Sequence, residues 1–299
     1  MKLITALVFI SSVLGAVTCR AQEVFDSAGT EIHYTVSGKG PAVVLIHGFI
    51  GSSQDWTAPP PFLPPDQQAR FKTVFETLSR HYRVIAADCR GHGLSGKPMA
   101  IEQYGLEMVA DVIRLLDHLK VEKAHVIGYS MGAFLAAKLV ETHPDRVMSV
   151  ILGGGGALLD GSEQLAFMES LGRSLQAGKG VEPLVLALMP PGAPGPTPEQ
   201  IAQGNQMFLA GQDEHALSMV ALGHAQLTVS VENLKASQVP SLLIVGRNDP
   251  LKVSSEETAR LMPHSQLVVL DGMDHVSTLM SPDYVKNMEN FLAGQSTGE

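Results

Sequence analysis

Ala124-His125-Val126-Ile127-Gly128-Tyr129-Ser130-Met131-Gly132 is the stretch whose reading decides the fold. Val126 and Ile127 are β-branched, and the apolar run is short and ends abruptly, so it predicts a buried strand rather than a helix. Gly128 and Gly132 bracket Ser130 in a G-x-S-x-G spacing. That spacing predicts a sharp strand-to-helix turn, with the serine in a strained backbone conformation and its hydroxyl above the sheet. The glycines stand where side chains would collide as strand and helix approach closely. From Met131, the small and apolar run Ala133-Phe134-Leu135-Ala136-Ala137-Lys138-Leu139-Val140 predicts a helix. Its first N–H groups point back toward the serine, a place suited to developing negative charge.

The spacing alone is weak in a chain with 29 glycines among 299 residues, so its context decides. A composition 45% hydrophobic and 17% charged is globular, and the length allows one full core with an inserted subdomain. The formal net charge of −9 gives no electrostatic case for nucleic acid or an anionic membrane as partner. Residues 1–21 carry Lys2, an apolar run from Leu3 to Ile10 and then small residues, the layout of a secretory signal peptide. The apolar run is too short for a membrane span, and cleavage after Ala21 predicts an exported chain. A lipoprotein anchor at Cys19 is the less favoured alternative, because Ala16-Val17-Thr18 fits that signal poorly. Only Cys89 would remain after cleavage, which leaves no internal disulfide and no cysteine-based metal site.

Working outward from the serine, residues 23–38 alternate on both sides of Ala28-Gly29 and predict a hairpin. Ala42-Val43-Val44-Leu45-Ile46 is wholly apolar, as in a strand buried on both faces. It runs into the glycine-rich loop His47-Gly48-Phe49-Ile50-Gly51-Ser52-Ser53, placed where an open α/β sheet puts its site. Five prolines between Pro59 and Pro65 predict a stiff loop near the site entrance, followed by a helix from Asp66 to about Ser79. Further strands are expected at 83–88, 146–152, 241–246 and 265–270, with an amphipathic helix over 102–119. Between about 158 and 235 the strands give way to helical segments, read as a lid inserted into a sheet domain of residues 22–157 and 236–299. Phe167 and Met189 are among the lid residues expected to line a pocket. The strand–helix rhythm elsewhere predicts an α/β fold: a mostly parallel twisted sheet with helices on both faces.

Ser130, Asp249 and His275 each fall just beyond the C-terminal end of an expected strand, in the chain order Ser…Asp…His. Residues on one sheet edge are neighbours in space, and nucleophilic acyl transfer uses these three types. With His47-Gly48-Phe49, Asp88-Cys89-Arg90-Gly91-His92-Gly93, Gly128-Tyr129-Ser130-Met131-Gly132, Gly246-Arg247-Asn248-Asp249-Pro250 and Gly272-Met273-Asp274-His275, the chain resembles the α/β-hydrolase superfamily, in its lidded serine-hydrolase branch. The resemblance covers about residues 23–293. It implies Ser130 as nucleophile, His275 as general base and Asp249 as the carboxylate that orients it. It also implies an oxyanion hole from the N–H groups of Phe49 and Met131, with His47, Trp56, Tyr129, Phe167 and Met189 placed as substrate contacts. Asp271 and Asp274 are weaker candidates for the acid, being too near His275 in sequence to come from a separate strand end.

No cofactor or metal is implied. The expected substrate is a small or medium-sized ester, cleaved through an acyl-enzyme. Lactone, thioester, peracid or C–C chemistry on the same residues, or a low-turnover ligand-binding role, are the alternatives. The segment from Trp56 to His81 is longer than usual for the family, with the proline cluster as the extra part. Substrate identity and oligomeric state are not legible.

Overall fold

The computed structural model describes residues 22–187 and 194–295; the signal-like segment with Cys19, and Met189, lie outside them. Its eight strands are β1 (Glu23–Ser27), β2 (Thr30–Ser37), β3 (Ala42–Ile46), β4 (Arg83–Ala87), β5 (Ala124–Tyr129), β6 (Val147–Gly153), β7 (Ser241–Gly246) and β8 (Ser265–Leu270). They form one sheet in the order β1-β2-β4-β3-β5-β6-β7-β8. The β1–β2 and β2–β4 pairs are antiparallel and all the others parallel. β3, β5 and β7 are buried at every residue, which is why they read as unbroken apolar runs rather than alternations.

The helices are α1 (Gln54–Thr57), α2 (Pro65–Gln68), α3 (Val74–Leu78), α4 (Leu106–His118), α5 (Met131–Thr142), α6 (Glu163–Gln176), α7 (Glu182–Ala187), α8 (Pro198–Phe208), α9 (Glu214–Gly223), α10 (Val231–Ala236), α11 (Lys252–Leu261), α12 (His275–Met280) and α13 (Pro282–Gln295). Five of them, α6 to α10, lie between β6 and β7 in the chain. Two expectations need correction. The single helix over 66–79 is instead α2 and α3, separated by a turn at Ala69-Arg70 and a short non-helical link. Thr73 starts α3 with a reciprocal capping box to Glu76, so the helix cannot run through from Asp66. The helix over 102–119 begins only at Leu106, because Gly105 takes a positive φ of 60° that ends the preceding 3₁₀ turn.

Two ladder registers bring the site to one edge. Ile46 pairs with Gly128, and Tyr129 with Gly153. Farther along the sheet, Gly246 pairs with Leu270. The segments that follow these residues therefore leave the sheet side by side. The Gly153-Gly154-Gly155-Gly156 run makes room there. A Cβ on Gly153 would lie 2.2 Å from the Tyr284 hydroxyl, and one on Gly154 2.5 Å from the Tyr129 ring.

A buried ion pair ties the edge loops to the helical layer. Arg90 is 2% exposed, and its Nε and Nη2 each sit 2.6 Å from an oxygen of Asp111 on α4. Its Nη1 donates to the Gln103 carbonyl at 2.7 Å, and Ser27 of β1 donates its hydroxyl to the same Asp111. Burial pushes the Asp111 carboxyl up, against the pull of Arg90. Arg90→Met leaves that buried carboxylate with only the Ser27 hydroxyl and a long contact to Arg114 at 3.7 Å, so it destabilises the chain by about 3–5 kcal/mol in chemical denaturation. Adding Asp111→Leu to it recovers most of the loss. A single variant as stable as wild type would show that the pair contributes nothing net.

His224, just after α9, packs between the rings of Phe49 and Phe134 and is fully buried. Its Nδ1 lies 2.8 Å from the Val220 carbonyl, while Nε2 has no hydrogen-bond partner among the described residues. Burial pulls its pKa down from 6.5 to about 4. Below pH 6.5 the unfolded chain therefore binds a proton that the folded chain refuses. The contribution is complete above pH 6.5 and is lost as pH falls toward 4. His224→Leu should lessen the loss of stability between pH 7 and pH 4.5 by roughly 2 kcal/mol. Parallel pH–stability curves for variant and wild type would refute this.

Candidate active site

Ser130 sits between β5 and α5 with φ 54° and ψ −115°, a conformation rare for any residue with a side chain. Three close approaches hold it there. A Cβ on Gly128 would lie 2.0 Å from the Gly132 carbonyl oxygen, and one on Gly132 2.1 Å from that of Ile46. The Ser130 N–H donates to the Gly153 carbonyl at 2.9 Å. The serine faces a cavity of about 1820 Å³, larger than the usual ligand pocket.

His275 is the first residue of α12, which Asp274 caps by accepting the N–H groups of Val276 and Ser277. Its Nδ1 is 2.9 Å from Asp249 Oδ2. Asp249 follows β7, its side chain is wholly buried, and its Oδ1 accepts the Leu251 N–H at 2.8 Å. One carboxylate oxygen thus fixes the ring and the other fixes the carboxylate. The His275 ring lines the same cavity as Ser130, and its Nε2 makes no hydrogen bond among the described residues. The rival acids are engaged elsewhere: Asp274 is spent on its cap and Asp271 pairs with Arg247.

Phe49 and Met131 also line the cavity, one on the loop after β3 and the other at the start of α5. Neither backbone N–H has a partner among the described residues. The loop that presents Phe49 is pinned from behind. His92 Nε2 donates to the Phe49 carbonyl at 2.6 Å, and Asp88 accepts the Ser53 N–H at 2.8 Å and the Leu94 N–H at 2.9 Å. Burial works against the Asp88 charge, but these donors hold its carboxyl below the usual range. Burial and the neighbouring His47 pull His92 down to about 3, so it is a neutral structural donor.

The residues expected to touch substrate separate. Tyr129 and Phe167 line the cavity. The Tyr129 hydroxyl, however, is committed to the His275 carbonyl at 2.5 Å, with the rings 5.4 Å apart. Burial and the nearby Asp249 charge raise its pKa well above the ordinary value, so it remains a donor. His47 and Trp56 are fully buried and are not among the lining residues, which corrects their placement as substrate contacts. His47 accepts the Cys89 N–H on Nε2 at 3.0 Å and places Nδ1 2.8 Å from the Gly48 carbonyl. Trp56 packs in the core with Val43, Leu45 and Leu78. Sequence reasoning places His92 in a site-edge loop with local hydrogen bonds, as observed, but misses Tyr129 as a support. The signal for His92 was its place in a second loop on the same edge. For Tyr129 there was none, since its partner is a backbone atom 146 residues away.

Among the described residues no cluster of His, Cys, Asp or Glu is arranged to hold a metal ion, and no helix is long and apolar enough to cross a membrane. A fixed carboxylate–imidazole pair, a strained serine and two unpartnered N–H groups on one cavity can carry out acyl transfer.

A family model described as the alpha/beta hydrolase fold matches residues 41–179. A Bacillus subtilis (strain 168) protein provisionally named 2-succinyl-6-hydroxy-2,4-cyclohexadiene-1-carboxylate synthase is 36% identical over 126 residues, 40% of this chain. The chain spans 40% of that relative's length. A 2-hydroxy-6-oxononadienedioate/2-hydroxy-6-oxononatrienedioate hydrolase of Dechloromonas aromatica (strain RCB) is 29% identical over 259 residues, covering 82% of this chain and 84% of its own. Among solved structures, a thermophilic esterase from Thermogutta terrifontis, malate bound, superposes with a TM-score of 0.70 at 26% identity, covering 93% of this chain and 99% of the other. On the family match over residues 41–179 and this likeness over nearly the whole described chain, the protein has the α/β-hydrolase fold.

Proposed function

We propose that the chain is a serine hydrolase that cleaves a carboxylic ester of a small or medium-sized substrate through an acyl-enzyme. The observation that carries the reading is the hydrogen bond between His275 and the buried Asp249, with the His275 ring and strained Ser130 on one cavity. In the proposed reaction His275 takes the Ser130 proton as the serine oxygen attacks the ester carbonyl. The N–H groups of Phe49 and Met131 hold the oxyanion, and loss of one such donor typically costs 10²–10³ in rate, as an order of magnitude. The C–O bond to the alcohol then breaks, and the alcohol leaves with the proton from His275. Water, deprotonated by His275, attacks the acyl-enzyme, and the acid is released as His275 returns that proton to the Ser130 oxygen. Asp249 keeps the ring oriented and stabilises the imidazolium. In this reading α6 to α10 form a lid over the cavity, to which α6, α7 and α8 contribute Phe167, Met168, Leu171, Leu184 and Phe208.

The Dechloromonas relative motivates hydrolysis of a C–C bond beside a ketone as the second reading, on the same residues. A p-nitrophenyl ester series from acetate to octanoate separates the two. Ester hydrolysis predicts sustained turnover that Ser130→Ala abolishes and that Asp249→Asn lowers by about 10⁴, as for a triad carboxylate elsewhere. The chain-length optimum then sizes the cavity. Turnover surviving Ser130→Ala, or absent throughout the series, would sink the ester reading.

Export is also proposed, on the layout of residues 1–21 alone. Expression of the full chain in a secreting bacterial host should yield protein outside the cytoplasm beginning at Gln22. An unprocessed N-terminus, or a lipid-modified Cys19, would overturn it.

A further inference from the structure

The cavity is too large for the reacting ester group alone, and one of its walls has a chemistry that acyl transfer does not require. That wall is the segment from Ala58 to Arg80, the stretch between α1 and β4. It presents Phe62, Arg70, Phe71, Lys72, Val74 and Arg80 to the cavity. Three of these are cations, and none makes a side-chain hydrogen bond or ion pair among the described residues. Elsewhere Arg90, Arg114, Lys138, Arg146, Arg247 and Lys252 each hold a carboxylate. The segment's own acids do not neutralise the wall. Neither Asp66 nor Glu76 lines the cavity, and the Glu76 carboxylate is spent on the Thr73 N–H. The other charged lining residues, Asp55, Glu163, Lys286 and Glu289, come from other elements.

The wall is also built rather than loose. Prolines 59–61 fix the backbone on one side. Gln68 donates its amide to the Leu63 carbonyl at 2.7 Å and to that of Pro61 at 3.2 Å, which ties the loop to α2. The Thr73–Glu76 capping box fixes the chain immediately after Lys72. The cations thus stand on a braced segment, beside two aromatic rings. In a chain of net charge −9, three unpaired cations against a substrate cavity oppose the general repulsion of anions.

We propose that Arg70, Lys72 and Arg80 determine specificity by selecting esters whose far end carries an anionic group, with Phe62 and Phe71 packing the apolar part between. The inference rests on the ester-hydrolase reading for its chemistry. It does not rest on it for binding.

The test compares two esters of equal chain length, p-nitrophenyl hexanoate and mono-p-nitrophenyl adipate, which differ by the terminal carboxylate. Wild type should favour the adipate ester in kcat/KM at low ionic strength, mainly through KM, and lose the preference in 0.5 M salt. In the Arg70→Gln/Lys72→Gln/Arg80→Gln variant the adipate-to-hexanoate ratio should fall roughly tenfold, the combined effect of three exposed charge pairs of ordinary strength. A charge-matched variant, Lys39→Gln/Lys123→Gln/Lys179→Gln, changes three exposed lysines that do not line the cavity and should keep the wild-type ratio. Equal ratios in wild type and the cavity variant, or equal falls in both variants, would overturn the proposal.

Calorimetric titration of free adipate keeps the two readings apart. Adipate binding to wild type that the cavity variant loses supports the cationic wall even if neither ester is turned over, in which case only the ester reading fails. No adipate binding together with no preference for its ester overturns the wall while leaving any Ser130-dependent esterase activity intact.

Discussion

Where β5 becomes α5, backbone passes so near backbone that no side chain fits, and the rest of the site is referred to that pinch. A Cβ at Gly128 or Gly132 would fall about 2 Å from a carbonyl oxygen, one in the helix itself and one on β3. The gap cannot be widened cheaply, because Ile46 pairs with Gly128 in the ladder and the strands on both sides are buried. Ser130 is therefore forced to a positive φ, a conformation that costs on the order of 1–3 kcal/mol and that the surrounding sheet must sustain. The same geometry leaves the Met131 N–H, at the first turn of α5, without a helical acceptor. Strain at the serine and an unpartnered donor beside it are two results of one packing constraint.

Around the pinch, the groups used for chemistry in the proposed mechanism are held by others that are not. Asp249 receives a backbone N–H on one oxygen and leaves the other for His275. Tyr129 holds the His275 backbone, and the Gly153-Gly154 pair exists to admit that ring. His92 and Asp88 hold the Phe49 loop from below. Such supports keep donors and acceptors in place before a substrate arrives, which is what electrostatic stabilisation of a transition state needs.

This division explains what could be read in the sequence. Strand ends are legible because buried strands are continuous apolar runs, and a residue one or two places beyond such a run lands on the edge. Ser130 follows that rule, one place past β5, while Asp249 and His275 lie three and five places past β7 and β8, in the loops that leave the same edge. Helix breaks governed by local chemistry were legible only in part: the capping box at Thr73 is visible in Thr73-Val74-Phe75-Glu76, yet the expected helix ran through it. His47 and Trp56, which flank the loop after β3, were placed as substrate contacts through the family resemblance. A loop has two sides, and the apolar core claimed Trp56 while the Cys89 N–H claimed His47. Contacts such as Tyr129 to the His275 carbonyl leave no trace in composition or periodicity, since any residue supplies a carbonyl.

The parts of the cavity differ in how much freedom they have to vary. The edge residues are fixed by ladder registers, and a shift of one residue in β5 or β7 would turn their side chains to the opposite face. The helices between β6 and β7 and the segment between α1 and β4 carry no such constraint. They meet the sheet through side-chain packing, which tolerates substitution while volume is kept. Phe167, Met168 and Leu171 on α6 and the charged wall at Arg70, Lys72 and Arg80 can thus change without disturbing the pinch. In the proposed reading, chemistry is therefore referred to the sheet edge, and the choice of substrate to the segments that line the rest of the cavity. The cationic wall belongs to the second class: it lies on a stretch braced by its own prolines and caps rather than by the ladder.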